Sequence, residues 1–99
     1  MSVLVVHVAS VRPEKVEAAR ARYAELLPVT RAYDGCEGVT LHLDQDAPGK
    51  LLLLERWASR AQYEAYVAWR MTRQDEVAAG KKLGTGEPPS VRIFDDLEA

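Results

Sequence analysis

The chain has 99 residues, 47% of them hydrophobic and 28% charged, with 13 basic against 15 acidic side chains and a net charge of −2. That composition suits one compact domain over residues 1–99 and excludes a disordered chain, and its balance gives no general pull toward a phosphate backbone, so no nucleic-acid partner is expected. Cys36 is the sole cysteine, which rules out an intrachain disulfide and fits a reducing, cytoplasmic setting.

The opening run "MSVLVVHVAS" is rich in valine and broken by His7. It is too short for a membrane helix and lacks the basic lead of a secretion signal, so a buried first strand over residues 2–11 is expected. In "RPEKVEAARARYAELLPVTRAY" the period changes: Val16, Ala19, Tyr23, Leu26, Leu27 and Thr30 recur at threes and fours, the mark of an amphipathic helix. Pro13 suits its first turn, whereas Pro28 predicts a kink or stop near Leu27. After "DGCEG", the stretch "VTLHLD" sets Val39, Leu41 and Leu43 against Thr40, His42 and Asp44, a half-buried strand. "QDAPGK" carries turn residues and "LLLLERW" follows as the partner strand, so residues 39–57 read as a hairpin. Ser59 and Gln62 form a capping box for a second helix, whose face carries Tyr63, Tyr66, Val67 and Arg70 or Met71, with Trp69 beside it. Gly80, Gly84, Gly86, Pro88 and Pro89 break that pattern, and "SVRIFDDL" supplies the last strand.

The predicted order is β-α-β-β-α-β. Its most economical architecture is α+β: a ferredoxin-like split βαβ sandwich, an antiparallel sheet with both helices on one face. The first strand, however, is apolar on both sides, Val3, Val5 and Ala9 against Leu4, Val6 and Val8. The third offers Leu51 and Leu53 against Leu52 and Leu54. Two apolar faces need two covers, and a second copy of the sheet supplies the missing one, predicting a homodimer through the open face.

No nucleotide, hydrolase or metal-binding motif is present, and His7 and His42 lack ligand spacing, so no metal is expected. The residues that could carry chemistry are aromatic or hydrogen-bonding. Trp57 ends a strand and Tyr63 follows six residues later, a spacing that can bring an indole N–H and a phenol O–H to one cavity mouth. Taken alone, both read first as core or rim aromatics whose polar tips touch backbone or water. Tyr66 and Trp69 read first as packing residues, and Glu55 with Arg56 as a solvated or dimer-edge pair. Each histidine reads as an ordinary strand residue or as a proton acceptor near neutral pH. Cys36 has no activating neighbour.

The pieces "RPEK", "DGCEGVTLH", "DAPG" and "LLLLERWASRAQYEAY" together resemble the antibiotic biosynthesis monooxygenase (ABM) domain family across residues 3–97. The resemblance implies a homodimeric α/β barrel with a pocket between sheet and helices in each subunit. In the anthrone-oxidising branch of that family, a Trp at the end of the third strand and a Tyr six residues later contact the substrate. Trp57 and Tyr63 hold those positions. The Asn that this branch places four residues before the Trp is Leu53 here, a departure that removes an amide from the site. The haem-degrading branch needs an Asn on the first strand and a Trp and His on the second helix, which Val6 or His7, Tyr66 and the lack of any His after His42 do not supply.

The function this implies is a cofactor-independent monooxygenase converting a small phenol, anthrone or hydroquinone to a quinone with dioxygen, in polyketide or antibiotic biosynthesis. Trp57, Tyr63 and His42 are the expected catalytic residues, with His7 as the other candidate base. His7, Tyr23, Leu53, Tyr66 and Trp69 would bind the substrate, with no cofactor and no membrane partner. The rival readings are a non-catalytic dimeric binding or accessory module and an oxygen-independent isomerase or cyclase using the same pocket.

Overall fold

The structure is a computed structural model that describes residues 2–99. Strands β1 (Val3–Ser10), β2 (Cys36–Leu43), β3 (Lys50–Trp57) and β4 (Ser90–Asp95) form one antiparallel sheet in the order β2-β3-β1-β4. Helices α1 (Val16–Ala32), α2 (Arg60–Thr72) and α3 (Gln74–Lys81) accompany it, with a short 3-10 turn at Pro13–Lys15 leading into α1. This is the α+β ferredoxin-like arrangement expected from the order of elements.

Two local outcomes differ from expectation. Helix α1 does not stop at Leu27 but runs through Pro28 to Ala32. Pro28 and Ala24, whose carbonyl loses its partner, are both exposed, so water can serve that oxygen. Leu27 and Thr30 are both buried on either side of the proline: Leu27 packs with Val39 and Leu53 of the sheet, and Thr30 bonds Tyr66 Oη of α2 at 2.7 Å. The second difference is α3, eight residues with no buried side chain. Its signals are local ones, Asp75 and Glu76 in the first turn and Lys81 in the last, which suit the helix dipole.

The hairpin follows its turn chemistry. The Asp44 carboxylate accepts the Asp46 and Ala47 amides at 2.8 and 3.1 Å. Gly49 then adopts φ 82° and passes so near β1 that a Cβ would sit 2.1 Å from the Val11 carbonyl oxygen, which only glycine avoids. Ser59 caps α2, its Oγ accepting the Gln62 amide at 3.2 Å.

Register assigns the two faces. Val5 lies opposite Glu55 and Ile93, and Val39 also opposes Glu55, so these four side chains share the helix-covered face with Leu51, Leu53 and Trp57. The other face carries Leu4, Val6 and Val8 on β1, Leu52, Leu54 and Arg56 on β3, Thr40 and His42 on β2, and Arg92 and Phe94 on β4. Leu54 and Phe94 are 37% and 45% exposed, because the chain has nothing of its own to lay over them. Among the described residues, no helix is long and apolar enough to cross a membrane.

Candidate functional site

Between the helix-covered face and the three helices lies a cavity of about 420 Å³, a size suited to a small organic ligand. Leu26 and Leu27 of α1, Leu53 of β3 and Val67 of α2 give it apolar walls. Its polar groups are His7, Tyr23, Thr30, Glu55, Tyr63, Tyr66 and the arginines at 22 and 70, with Glu76 of α3 at the edge.

Glu55 is the residue that sequence reasoning missed. Rather than a solvated partner of Arg56, it is a buried carboxylate, 4% exposed, at the centre of the sheet. Arg56 points to the other face and pairs with Asp96 at 2.6 Å. The Trp57 indole Nε1 donates to Glu55 Oε1 at 3.0 Å, since residues two apart on a strand share a face. Burial pushes the Glu55 carboxyl above its ordinary value, with the Trp57 hydrogen bond partly opposing. The same alternation that placed Leu51, Leu53 and Trp57 inside was the available signal.

Trp57 was expected to donate to a substrate. It is instead fully buried, absent from the residues lining the cavity, and its one N–H is committed to Glu55. Its ring packs against Tyr66 with centroids 4.9 Å apart and meets Tyr63 edge-on at 5.7 Å. Tyr63 does line the cavity. Burial, with the nearby Glu55 charge and Tyr66, pushes its phenol up to about 12, so it stays protonated and able to donate at neutral pH.

His42 lies away from these residues. It projects from the open face, opposite Leu52, where its Nε2 shares a 2.7 Å hydrogen bond with Thr40 Oγ1. The expected grouping of Trp57, Tyr63 and His42 is therefore not assembled within one chain. His7 is the histidine that faces the cavity. Burial lowers its pKa, which keeps the imidazole neutral around pH 7. Leu53, Tyr23 and Tyr66 line the chamber as expected, and burial raises the Tyr23 phenol. Trp69 does not line it: that ring packs against Tyr33 with centroids 5.3 Å apart and lines a separate groove with Glu25 and Val29 of α1. The Arg70 and Arg73 guanidinium carbons lie 4.9 and 5.3 Å from its centroid.

The roof is tied by Arg70. Its guanidinium donates to the Leu26 carbonyl at 3.0 Å, Thr30 Oγ1 at 3.2 Å, Tyr66 Oη at 2.9 Å and Glu76 Oε2 at 3.0 Å, joining α1, α2 and α3. Tyr66 Oη and Thr30 Oγ1 are 2.7 Å apart. A second chamber of about 600 Å³ continues toward Val11, Leu83 and Glu87. Among the described residues no cluster of three or more His, Cys, Asp or Glu is placed to hold a metal ion.

Comparison with known proteins agrees with this architecture. No curated protein matches the chain. Rv0793 from Mycobacterium tuberculosis has a similar structure, with a TM-score of 0.76 at 28% identity over 100% of this chain and 98% of that one. A crystal structure of an antibiotic biosynthesis monooxygenase aligns with a TM-score of 0.81 at 25% identity over 97% and 99% of the two chains. A structure from Bordetella bronchiseptica, at 21% identity and 98% coverage of both chains, shares the fold with a TM-score of 0.83. The family model for antibiotic biosynthesis monooxygenase matches residues 1–73, the span from β1 through α2 that carries Glu55, Trp57 and Tyr63; the chain belongs to that family.

Proposed function

We propose that this protein is a cofactor-free monooxygenase that converts an anthrone or a para-unsubstituted phenol to the corresponding quinone, working as a homodimer closed over its open sheet face. The observation that carries the reading is Glu55: a buried carboxylate, raised in pKa by burial, facing an apolar chamber beside a phenol that cannot ionise at neutral pH. A carboxylate so placed is a stronger base than an exposed one, and a base tuned toward the working pH is the most effective.

The chemistry needs no resident redox group if the substrate supplies the electrons. Glu55 takes the acidic proton, from the methylene C–H of an anthrone or the O–H of a phenol, leaving a delocalised carbanion whose oxygen is stabilised by a hydrogen bond from Tyr63. The carbanion passes one electron to dioxygen, and the resulting radical and superoxide join in a C–O bond. The peroxide recovers the proton from Glu55 and becomes a hydroperoxide. Loss of the hydrogen that remains on that carbon, with cleavage of the O–O bond, gives the carbonyl and water. The net change at an anthrone is one CH2 and one O2 to one C=O and one H2O; a phenol gives up its O–H and para C–H hydrogens to the same water. Trp57 acts in this scheme as a positioning residue that holds the Glu55 carboxylate, and the neutral His7 supplies a second hydrogen-bonding group. The apolar walls exclude water from the carbanion.

The test is oxygen consumption by the purified protein with 1,8-dihydroxy-9-anthrone. One anthraquinone should appear per dioxygen, and Glu55→Gln should lower the rate by about 10²-fold or more, the usual worth of a general base. Equal rates for the two proteins would sink the proposal. Turnover of an enolisable substrate that persists without oxygen would point to an isomerase or cyclase.

A further inference from the structure

The two chambers meet at a neck formed by His7, Arg22, Tyr23, Met71, Val77 and Pro89, which line both. Arg22 is the cation at that neck. It is half-buried, and its Nη2 donates to the Glu76 main-chain oxygen at 2.8 Å. Gly80 makes room for it. A Cβ there would lie 2.8 Å from Nη2 and 2.9 Å from Cζ, so a side chain at position 80 would displace the guanidinium from α3.

The neighbouring acids are engaged elsewhere. The Glu76 carboxylate binds Arg70 at 3.0 Å and Arg73 at 3.1 Å. Glu87, in the outer chamber with Lys81, binds Lys50 at 2.8 Å. Glu25 lies with Arg22 in a separate groove that residues of α1, α2 and α3 line, and Glu55 is held by Trp57 in the inner chamber. No ion pair forms on Arg22 among the described residues. A guanidinium has five N–H donors in a planar fork that matches a carboxylate. Here one is bonded to the Glu76 main-chain oxygen, and the group also acts on the Tyr23 phenol, with its Cζ 5.7 Å from that ring's centroid. The remaining donors are open to a ligand.

We propose that the substrate carries a carboxylate, which docks on Arg22 at the neck while the ring to be oxidised occupies the inner chamber against Glu55 and Tyr63. The two charges then orient the ligand. Glu55 repels an anionic end from the inner chamber, and Arg22 holds it at the boundary. The placement of the ring rests on the monooxygenase reading, whereas the preference for an acid is measured by binding alone.

The experiment titrates 1,8-dihydroxy-9-anthrone and its 3-carboxylate, under argon, into the full chain while following tryptophan fluorescence. Wild type should bind the carboxylate about tenfold more tightly than the neutral anthrone, the worth of one charge-assisted contact. Added salt should weaken the acid alone. Arg22→Gln should abolish the preference and Arg22→Lys should keep part of it. Equal affinities in wild type, no measurable binding of the carboxylate, or a preference that survives in Arg22→Gln would each overturn the proposal. The first comparison needs no variant, so a poorly folded Arg22→Gln does not shield the idea. Readmitting oxygen separates the two readings: a retained acid preference with no oxidation of either anthrone sinks the monooxygenase and leaves the carboxylate site standing, and oxidation of both with no preference does the reverse.

Discussion

The Trp57 indole and the Glu55 carboxylate are joined by a 3.0 Å hydrogen bond in the interior, and each explains the other's burial. An indole N–H in the core needs an acceptor, and a carboxylate there needs a donor. Removing the donor in Trp57→Phe takes away the contact that lowers the Glu55 pKa and leaves the burial that raises it. The acid limb of the kcat–pH profile should therefore move to higher pH, with a lower rate at neutrality. An unmoved limb would mean that Glu55 is not the group titrating in the rate.

The same carboxylate makes stability depend on pH. Its pKa in the folded chain is raised above the ordinary 4.5, so over that window the native state binds more protons than the unfolded state. Its contribution is then fully present below about 4.5 and is lost as pH rises through the folded value. Glu55→Gln keeps an acceptor for Trp57 and cannot ionise. It should melt at a higher temperature than wild type at pH 7, with the gap closing toward pH 4. A gap that stays constant across the series would contradict the burial-driven shift.

Tyr63 is predicted to act as a donor only while an oxyanion exists. Tyr63→Phe should lower kcat by about 10²-fold, as loss of an oxyanion-hole donor does, with little change in KM. Stopped-flow measurement of anthrone consumption gives both constants. A rise in KM with kcat intact would reduce Tyr63 to a wall of the chamber.

Alternation along the strands made most of this fold legible, and it also explains the misses. Adjacent Glu55 and Arg56 look like an ion pair when charge is read without geometry. Neighbours on a strand point to opposite faces, and the parity shared with Leu53 and Trp57 put Glu55 inside. His42 carried the same message, since its parity with Thr40 already set it opposite Val39 and Leu41. Pro28 misled because a helix-breaking residue is tolerated where the orphaned carbonyl meets water. Helix α3 left only its acidic first turn and basic last turn, because it buries no side chain. The Arg22 neck was not legible at all, since nothing in the sequence says which arginine is left without a carboxylate.

Arg70 concentrates the tertiary ties of the roof on one side chain, itself only 15% exposed. Arg70→Met keeps most of the aliphatic stem and removes the hydrogen bonds to α1 and α3. It should cost about 2–3 kcal/mol, the scale for charge-assisted bonds lost from a partly buried site. Arg70→Lys should recover little, because a point charge cannot reach Leu26, Tyr66 and Glu76 together. Urea unfolding measures both. A loss below about 0.5 kcal/mol, ordinary for a surface change, would contradict the clamp.

The open face predicts its own partner. Val6 lies opposite Leu54, which lies opposite Thr40, so Leu54 stands near the middle of a stripe that runs from Leu4 and Phe94 to Val8 and Leu52. Arg56 and Arg92 flank the stripe and His42 ends it. A two-fold copy laid on this face would cover the apolar centre and leave the charged rim in water. Light scattering at micromolar concentration should give a mass near twice the 11.0 kDa of one chain. Leu54→Arg would set like charges close to the symmetry axis, where the cost is several kcal/mol, so the dimer should weaken by about 10²-fold or more. Leu54 points away from the cavity, so the variant should keep its fold by circular dichroism. A wild-type protein that runs as 11.0 kDa, or a Leu54→Arg variant that still dimerises, would move the interface off this face.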